Sequence, residues 1–268
     1  MDVRKVLLGI TLSLLLTSGV AFSADYNKGL KAAQLGDFET ALAEWAPLAE
    51  SGNSVAQANL GMMYEFGKGV LKNNKTAVKW HTLAAEQGNI DSQFNLGVIY
   101  TGGALENANK AVKWYTSAAE QGHIRSQYNL ALMFDDGGAA LKNYKTAVKW
   151  YTLAAEQGVV DAQYNLGVMY EDGKGVLAND KTAVKWYTLA SEQGDASAQN
   201  NLGIMYEKGR GVLKDTKRGY MWYSIASYTG NNFGTKNKDK ITRKMTLSQI
   251  DKAQEMSRKC LSSGYTDC

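Results

Sequence analysis

The sequence predicts an all-α fold, a solenoid of antiparallel helix pairs, and three observations support this. Five tryptophans, spaced 34, 36, 36 and 36 residues apart, are Trp80, Trp114, Trp150, Trp186 and Trp222. The segments around them repeat too, and a unit of this length buries its apolar side only by stacking on its neighbours. Helix-forming residues dominate and Pro47 is the single proline, which argues against a β-rich or disordered chain.

The amino end has the pattern of a secretory signal peptide, assigned to residues 1–23. Two basic residues precede an apolar stretch from Val6 to Leu16, and Ala21 and Ser23 are small residues at the positions that a signal peptidase reads. Cleavage is expected after Ser23, with cleavage after Ala24 left open. A membrane anchor is disfavoured because the stretch is shorter than the about 20 residues that a span needs. We expect a mature protein without a membrane span, in the periplasm or secreted.

The charge of the chain is too small for a nucleic-acid-binding protein. The net charge of +4 falls to +3 when residues 1–23 are removed, and the lysines are spread through the repeats. No nucleic acid is therefore expected among the partners.

Between two flanking segments, the chain divides into five units. The units are residues 53–88, 89–122, 123–158, 159–194 and 195–230. Residues 24–52 are interpreted as a shorter helical pair, with Pro47 kinking its second helix. Residues 231–268 are interpreted as a linker and a capping helix, which begins at the capping box Thr246-Leu-Ser-Gln249 and ends near Leu261. Such flanking pieces cover the ends of a solenoid.

The first helix of each unit carries one apolar stripe. Ala56, Leu60 and Gly61 recur at helical spacing. Glycine inside a helix costs about 1 kcal/mol relative to Ala, so its return at the slot of Gly61 predicts close approach of the partner helix. Ala131 fills that slot in the third unit.

In the second helix, Ala77, Trp80 or His81, and Ala84 are predicted to form the apolar stripe. A lysine column lies outside it, formed by Lys75, Lys79, Lys145, Lys149, Lys181 and Lys185. We interpret this column as a solvated convex face rather than a site for an anionic polymer.

The connector between the two helices is glycine-rich and begins at Gly67, Gly173 or Gly209 in three of the units. Paired glycines permit positive φ at the helix exit, and the Asn or Asp that follows can cap the next helix. The motif lacks the Gly-Lys-Ser/Thr and the preceding strand of a phosphate-binding loop. It is therefore interpreted as a connector.

No catalytic pattern is found, so we expect a non-enzyme without cofactor or metal. His81 and His123 occupy slots that other copies fill with Tyr or Val, and nucleophile, metal and paired-acid motifs are missing. One glutamate recurs at the same position of successive units, at Glu86, Glu120, Glu156 and Glu192. These carboxylates could suggest the acid pair of a glycosidase, but duplication of the repeat explains them better.

The pattern Ala-Gln-x-Asn-Leu-Gly-x-x-Tyr, followed by Gly-x-Gly-Val and Ala-x-x-Trp-Tyr-x-x-Ala-Ala-x-Gln-Gly, resembles the Sel-one-like repeat, a relative of the tetratricopeptide repeat. The resemblance implies a right-handed α/α superhelix acting as a non-catalytic adaptor, whose concave groove binds a peptide or protein partner, often in the bacterial envelope. We expect a monomer. Two alternatives remain: a peptidoglycan-binding or structural envelope protein, and, less favoured, a β-lactam-hydrolysing or penicillin-binding enzyme. Relatives of the latter kind carry disulfides in their repeats, whereas the five units here contain no cysteine.

The resemblance also implies a binding surface on the first helices. Two columns would face the groove: Ala58, Phe94, Tyr128, Tyr164 and Asn200, and one turn later Met62, Val98, Leu132, Val168 and Ile204. The three aromatics would form a central patch, because aromatic rings bury large areas with few rotatable bonds. An acidic rim suited to Lys or Arg would follow at Glu65, Asp135, Glu171 and Glu207. The alternative is that the aromatics only pack between adjacent first helices.

The two cysteines, Cys260 and Cys268, are expected to form a disulfide that ties the tail to the last helix. An exported chain favours pairing, and the residues between them are flexible enough to turn back. The alternative is a buried thiol at Cys260 and a frayed end.

Overall fold

The computed structural model describes residues 24–102, 106–136 and 141–268, and these residues form fourteen α-helices and no strand. The helices are α1 Tyr26–Gln34, α2 Phe38–Glu50, α3 Ser54–Phe66, α4 Asn74–Glu86, α5 Ile90–Thr101, α6 Ala108–Glu120, α7 Ile124–Asp136, α8 Tyr144–Glu156, α9 Val160–Asp172, α10 Asp180–Glu192, α11 Ala196–Lys208, α12 Thr216–Tyr228, α13 Asn232–Thr242 and α14 Leu247–Ser262. The signal peptide expected in residues 1–23 lies outside the described residues. No helix among those described is long and apolar enough to cross a membrane.

From α1 to α13, each helix packs on the next one along the chain. Within a unit the first helix packs on the second, as α3 does on α4, and the second packs on the first helix of the following unit, as α4 does on α5. This order continues to α12, which contacts both α13 and α14. The predicted all-α solenoid of antiparallel helix pairs is confirmed.

Asn and Asp side chains fix where the helices begin. Asn73 Oδ1 accepts a hydrogen bond from the backbone N–H of Thr76 at 3.0 Å, and Asn179 does the same for Thr182 at 3.0 Å. These bonds satisfy backbone donors that an isolated helix start leaves free. Asp215 caps α12 in the same way.

The leucine of each Asn-Leu-Gly segment lies in the core. The five leucines, all nearly or fully buried, are Leu60, Leu96, Leu130, Leu166 and Leu202. The glycine beside them faces an aromatic ring of the second helix, since a Cβ added at Gly167 would lie 2.6 Å from Tyr187 Cε1. The close approach predicted at this slot is therefore made by a side chain.

The residue after each repeat tryptophan is buried more deeply than the tryptophan itself. Tyr187 is fully buried, and His81 occupies the same slot in the first unit and is fully buried as well. The tryptophans lie nearer the surface, where the preceding lysine covers the ring; Lys149 Nζ is 4.6 Å from the centre of the Trp150 ring. This lysine column is thus solvated and also stacked on aromatic surface.

The carboxyl-terminal segment is more helical than the sequence indicates. Residues interpreted as a linker form α13, which is capped by Asn231 and buries Ile241. The capping box of Thr246 and Gln249 is present at the start of α14. In the structure Cys260 and Cys268 are joined by a disulfide with a Cα–Cα distance of 4.7 Å.

Opening this disulfide is expected to release the tail while leaving the repeats folded. The bond closes a short loop, for which the chain-entropy relation gives about 2.5 kcal/mol. Titration of the exported, denatured, unreduced protein should find no free thiol, and Cys268→Ser should increase hydrogen exchange in residues 261–268 alone. Two free thiols per chain, or unchanged exchange, would contradict the prediction.

Candidate binding face on the first helices

The residues predicted to line a groove lie on α3, α5, α7, α9 and α11, and we call the set Met62, Phe94, Val98, Tyr128, Leu132, Tyr164 and Val168 the first-helix face. Three of its apolar side chains are exposed: Met62 by 40%, Val98 by 41% and Leu132 by 37%. Successive first helices touch, since α3 contacts α5 and α5 contacts α7. The apolar side chains therefore continue from one unit to the next.

The aromatic rings of this face rest on the core of their own unit. Tyr128 packs on buried Tyr151 with ring centres 6.0 Å apart, and Tyr164 packs on Tyr187 at 6.1 Å. Each of these two rings is half-buried. The two tyrosine rings are thus held on one side and open on the other, and their ring contacts join the first and second helices of one unit. Phe94 differs, because it packs on Tyr115 of its own unit at 6.0 Å and on His123, just before α7, at 4.7 Å.

Two depressions border the first-helix face. One, of about 270 Å³, includes Ala58 and Met62 of α3, Phe94 of α5 and Arg125 of α7 in its lining. The other, of about 440 Å³, is lined partly by Leu132 and Tyr115. The exposed lining of the larger depression is mainly apolar, as is typical of binding sites. The smaller one also presents several polar side chains, among them Asn59, Asp91 and Arg125.

Asn200 differs from the rest of its predicted column because it is buried, with 7% exposure. Its Oδ1 accepts a hydrogen bond from Asn237 Nδ2 of α13 at 2.9 Å, and its Nδ2 donates to Asn201. Helix α13 therefore covers this position, and a partner reaches Asn200 only if α13 moves. For this reason we end the first-helix face at α9.

The carboxylates predicted to form an acidic rim make contacts within the protein itself. Glu171 accepts hydrogen bonds from Tyr187 OH and from Arg210 Nη1, both at 2.7 Å. Glu207 accepts one from Tyr223 OH at 2.9 Å and one from Lys244 at 3.1 Å.

Of the other two acids, Asp135 is hydrogen-bonded, whereas Glu65 lies near His81 without a hydrogen bond between them. Asp135 accepts a hydrogen bond from Tyr151 OH at 3.2 Å, and Glu65 lies 3.4 Å from His81 Nε2. The column links the first and second helices of a unit.

The pKa values of these groups reflect that arrangement. Burial, followed by the hydrogen bond to Glu171 and its charge, raises the pKa of Tyr187. Burial opposes ionisation of Glu207, but the hydrogen bonds from Lys244 and Tyr223 outweigh it and lower the pKa of that carboxyl. The tyrosines thus remain neutral donors and Glu207 a charged acceptor.

Removing one such hydroxyl is expected to destabilise the protein. Tyr187→Phe should lower the free energy of unfolding by about 1.5–3 kcal/mol, as for a hydrogen bond to a charged group. The exposed Tyr228 provides the control, and Tyr228→Phe should change little. Urea denaturation followed by circular dichroism measures both, and equal stabilities of the two variants would show that the bond to Glu171 contributes nothing.

Sequence reasoning missed a ladder of buried glutamines that joins the units. Gln163 Nε2 donates to the carbonyl of Ala155 in the preceding unit at 3.1 Å, and its Oε1 accepts from Gln193 Nε2 at 2.8 Å. The same two bonds recur at Gln57, Gln93 and Gln127. The sequence did contain a signal for this ladder, the glutamine of each Ala-Gln or Ser-Gln pair, because a polar side chain inside an apolar stripe needs hydrogen-bond partners.

A second group missed by the sequence is the pair of acids beside the aromatic patch. Burial, followed by the charge of Asp161, raises the pKa of Tyr128, and burial with the charge of Asp195 does so for Tyr164. Asp161 is exposed. Negative charge at this face therefore comes from the starts of α9 and α11.

The stacked helix pairs and their continuous apolar face define an α/α-repeat solenoid protein. The family model described as Sel1 repeat matches residues 54–89, 90–123, 124–159, 160–195 and 196–231. The chain belongs to the Sel1 repeat family. Sel1 repeat proteins are typically scaffolds for protein interactions. No curated protein sequence is significantly similar to the chain.

Two solved structures share this fold at substantial identity. One is c5321, a protective antigen of uropathogenic Escherichia coli strains that displays an SLR fold; it is 33% identical, with a TM-score of 0.71, and the match covers 91% of this chain and 55% of that one. The other is a Sel1 repeat protein from Oxalobacter formigenes, 35% identical with a TM-score of 0.70, covering 79% and 88%. The chain thus spans about half the length of c5321.

Proposed function

We propose that this protein is an exported, non-catalytic scaffold of the bacterial envelope that binds a peptide segment of a partner protein along the first-helix face. The observation that carries the proposal is the row of exposed apolar side chains on α3, α5 and α7, with half-buried Tyr164 and Val168 on α9, beside two depressions. A segment laid across several units contacts each of them in turn, which suits an extended repeat surface.

The state of the aromatic rings supports binding. Tyr128 and Tyr164 are already held against buried tyrosines, so a partner loses little entropy in ordering them. Their exposed sides offer large contact areas of the kind that dominates interface energies. Apolar anchors on the partner would fill the depressions near Met62 and Leu132.

The polar groups around the face suggest how a partner is selected. Arg125 and Asp91 line the depression near α3, and the charge of Asp161 helps to raise the pKa of Tyr128. A segment with apolar anchors, an acidic group near Arg125 and a basic group near Asp161 matches this order of charges.

The carboxylates also support a non-catalytic role. Glu171 and Glu207 are engaged by tyrosines and by Arg210 or Lys244, an arrangement that holds helices together. Among the residues that the structure describes, no group of three or more His, Cys, Asp or Glu side chains could hold a metal ion.

The experiment compares capture by the wild-type chain, Tyr128→Ala/Tyr164→Ala and Tyr128→Phe/Tyr164→Phe. Periplasmic extract and purified peptidoglycan are offered separately, and thermal unfolding is recorded for each variant. The alanine pair should lose a specific protein partner by about tenfold or more, whereas the phenylalanine pair should retain it because the rings remain.

If the alanine pair unfolds, the exposed Met62→Ser/Val98→Ser/Leu132→Ser variant decides instead. Retention of peptidoglycan rather than protein would favour the polymer-binding function. Binding unaffected by every face variant would overturn the proposed face.

A further inference from the structure

The connectors expose a leucine at one fixed position. Leu71, Leu177 and Leu213 are each 91% exposed, more than any other large apolar side chain among the described residues. Leucine occupies this position in all five units, at Leu105 and Leu141 as well, whereas the residue after it is Lys, Glu, Lys, Ala and Lys. An exposed apolar residue without a packing partner is readily replaced by a polar one. The repetition of leucine at this position therefore indicates a contact with something outside the fold.

The outward direction of these leucines is set by the connector. The valine just before each of the three exposed leucines, as at Val176, is half-buried and packs on the core. Gly173 and Gly175 hold positive φ on either side of Lys174, a conformation that fixes the path of the loop. The valine therefore points inward and Leu177 outward.

Neighbouring connectors lie side by side. Gly175 packs against the backbone of Tyr144, three residues after Leu141, and Gly211 packs against that of Asp180, three residues after Leu177. The exposed leucines thus follow one edge of the solenoid. We call the exposed Leu71, Leu177 and Leu213 the leucine edge; Leu141, at the same position of the third unit, is half-buried.

The leucine edge is surrounded mainly by positive charge. Exposed lysines in and just after the connectors are Lys68, Lys72, Lys75, Lys142, Lys145, Lys174, Lys181 and Lys214. Of the acids in and beside these stretches, Asp180 is bound by Arg210 at 2.6 Å, Asp172 pairs with Lys174 at 2.9 Å and Asp215 caps α12. Glu106 is exposed. The surface of this edge therefore consists of protruding leucine side chains surrounded by lysines.

We propose that the leucine edge docks on the surface of an anionic phospholipid membrane, with the leucines inserted among the acyl chains and the lysines on the headgroup phosphates. Apolar side chains with basic neighbours are the pattern by which proteins bind membrane interfaces without spanning them. A second copy fits poorly, because equivalent edges would place lysine against lysine. Each leucine also protrudes separately from the others, and separate apolar side chains can insert among the acyl chains of a fluid membrane.

The test uses a chain beginning at Ala24, which contains every described helix, and vesicles of phosphatidylglycerol mixed with phosphatidylcholine. Sedimentation should show binding to these vesicles, weaker binding at high salt, and little binding to phosphatidylcholine alone. Leu71→Ser/Leu177→Ser/Leu213→Ser should bind at least about tenfold more weakly, since each leucine loses its burial in the bilayer.

The matched control removes exposed apolar surface elsewhere. Tyr228→Ser/Phe233→Ser/Leu247→Ser alters side chains of α12, α13 and α14 that are exposed by 78%, 68% and 81%, and it should bind vesicles like the wild type. Unfolding temperatures of both variants confirm that they fold. No vesicle binding by the wild type, equal loss in both variants, or loss of protein capture in place of vesicle binding would overturn the proposal.

Discussion

Leu166→Ala is expected to lower the free energy of unfolding by about 2–5 kcal/mol, the cost of deleting a fully buried leucine and leaving a cavity. Leu166 has no exposed surface and lies in the central cluster with Tyr151 and Ala155. Because this cluster joins the third and fourth units, the cavity weakens the stacking on which the repeats depend. Urea denaturation of the mature chain measures the loss.

The control for this variant lies in the same unit. Leu177 carries the same side chain but is 91% exposed, so Leu177→Ala should change stability by less than about 0.5 kcal/mol. If Leu166→Ala costs no more than Leu177→Ala, the apolar face assigned to the first helices is wrong.

Gly175→Ala is expected to cost about 2–5 kcal/mol, because two effects add. Gly175 has φ +72, where an L-residue is strained by about 1–2 kcal/mol. The new Cβ would overlap the carbonyl carbon and oxygen of Tyr144 and lie 2.7 Å from the nitrogen of Lys145. Neither backbone group moves easily, and such overpacking costs about 1–3 kcal/mol more.

Gly158 separates the two effects, since it has φ +88 but no atom within 4 Å of an added Cβ. Gly158→Ala should therefore show the backbone strain alone, about 1–2 kcal/mol. Thermal unfolding of both variants measures the difference. Equal losses of stability in the two variants would mean that the connector at Gly175 does not pack tightly on the backbone of the preceding unit.

Much of the fold could be predicted because the same local signals return in every unit. Asn or Asp before most helices and glycine after them mark the ends, although Val159 stands before α9, and the stripe of Leu166 and its equivalents marks the buried side. Helix α13 lacks such a stripe, burying only Gly234 and Ile241. Without periodicity, the sequence offered no reason to place a helix there.

From the sequence, only those features of the binding face that depend on the spacing of residues within one helix could be predicted. Helical spacing placed Met62, Val98 and Leu132 on the surface. It did not reveal that Tyr187 reaches back 16 residues to Glu171, or that α13 covers Asn200. Both facts depend on contacts between helices, which the period of a single helix does not encode.

Site-specific photocrosslinking in the exporting cell tests the central claim most directly. A photoreactive amino acid replaces either Leu132, on the first-helix face, or Lys145, an exposed residue of α8. The account predicts a discrete polypeptide adduct at position 132 that is absent at 145 and is lost when Tyr128→Ala/Tyr164→Ala is added. Equal adducts at both positions, or none at 132 while 145 captures a polypeptide, would contradict it.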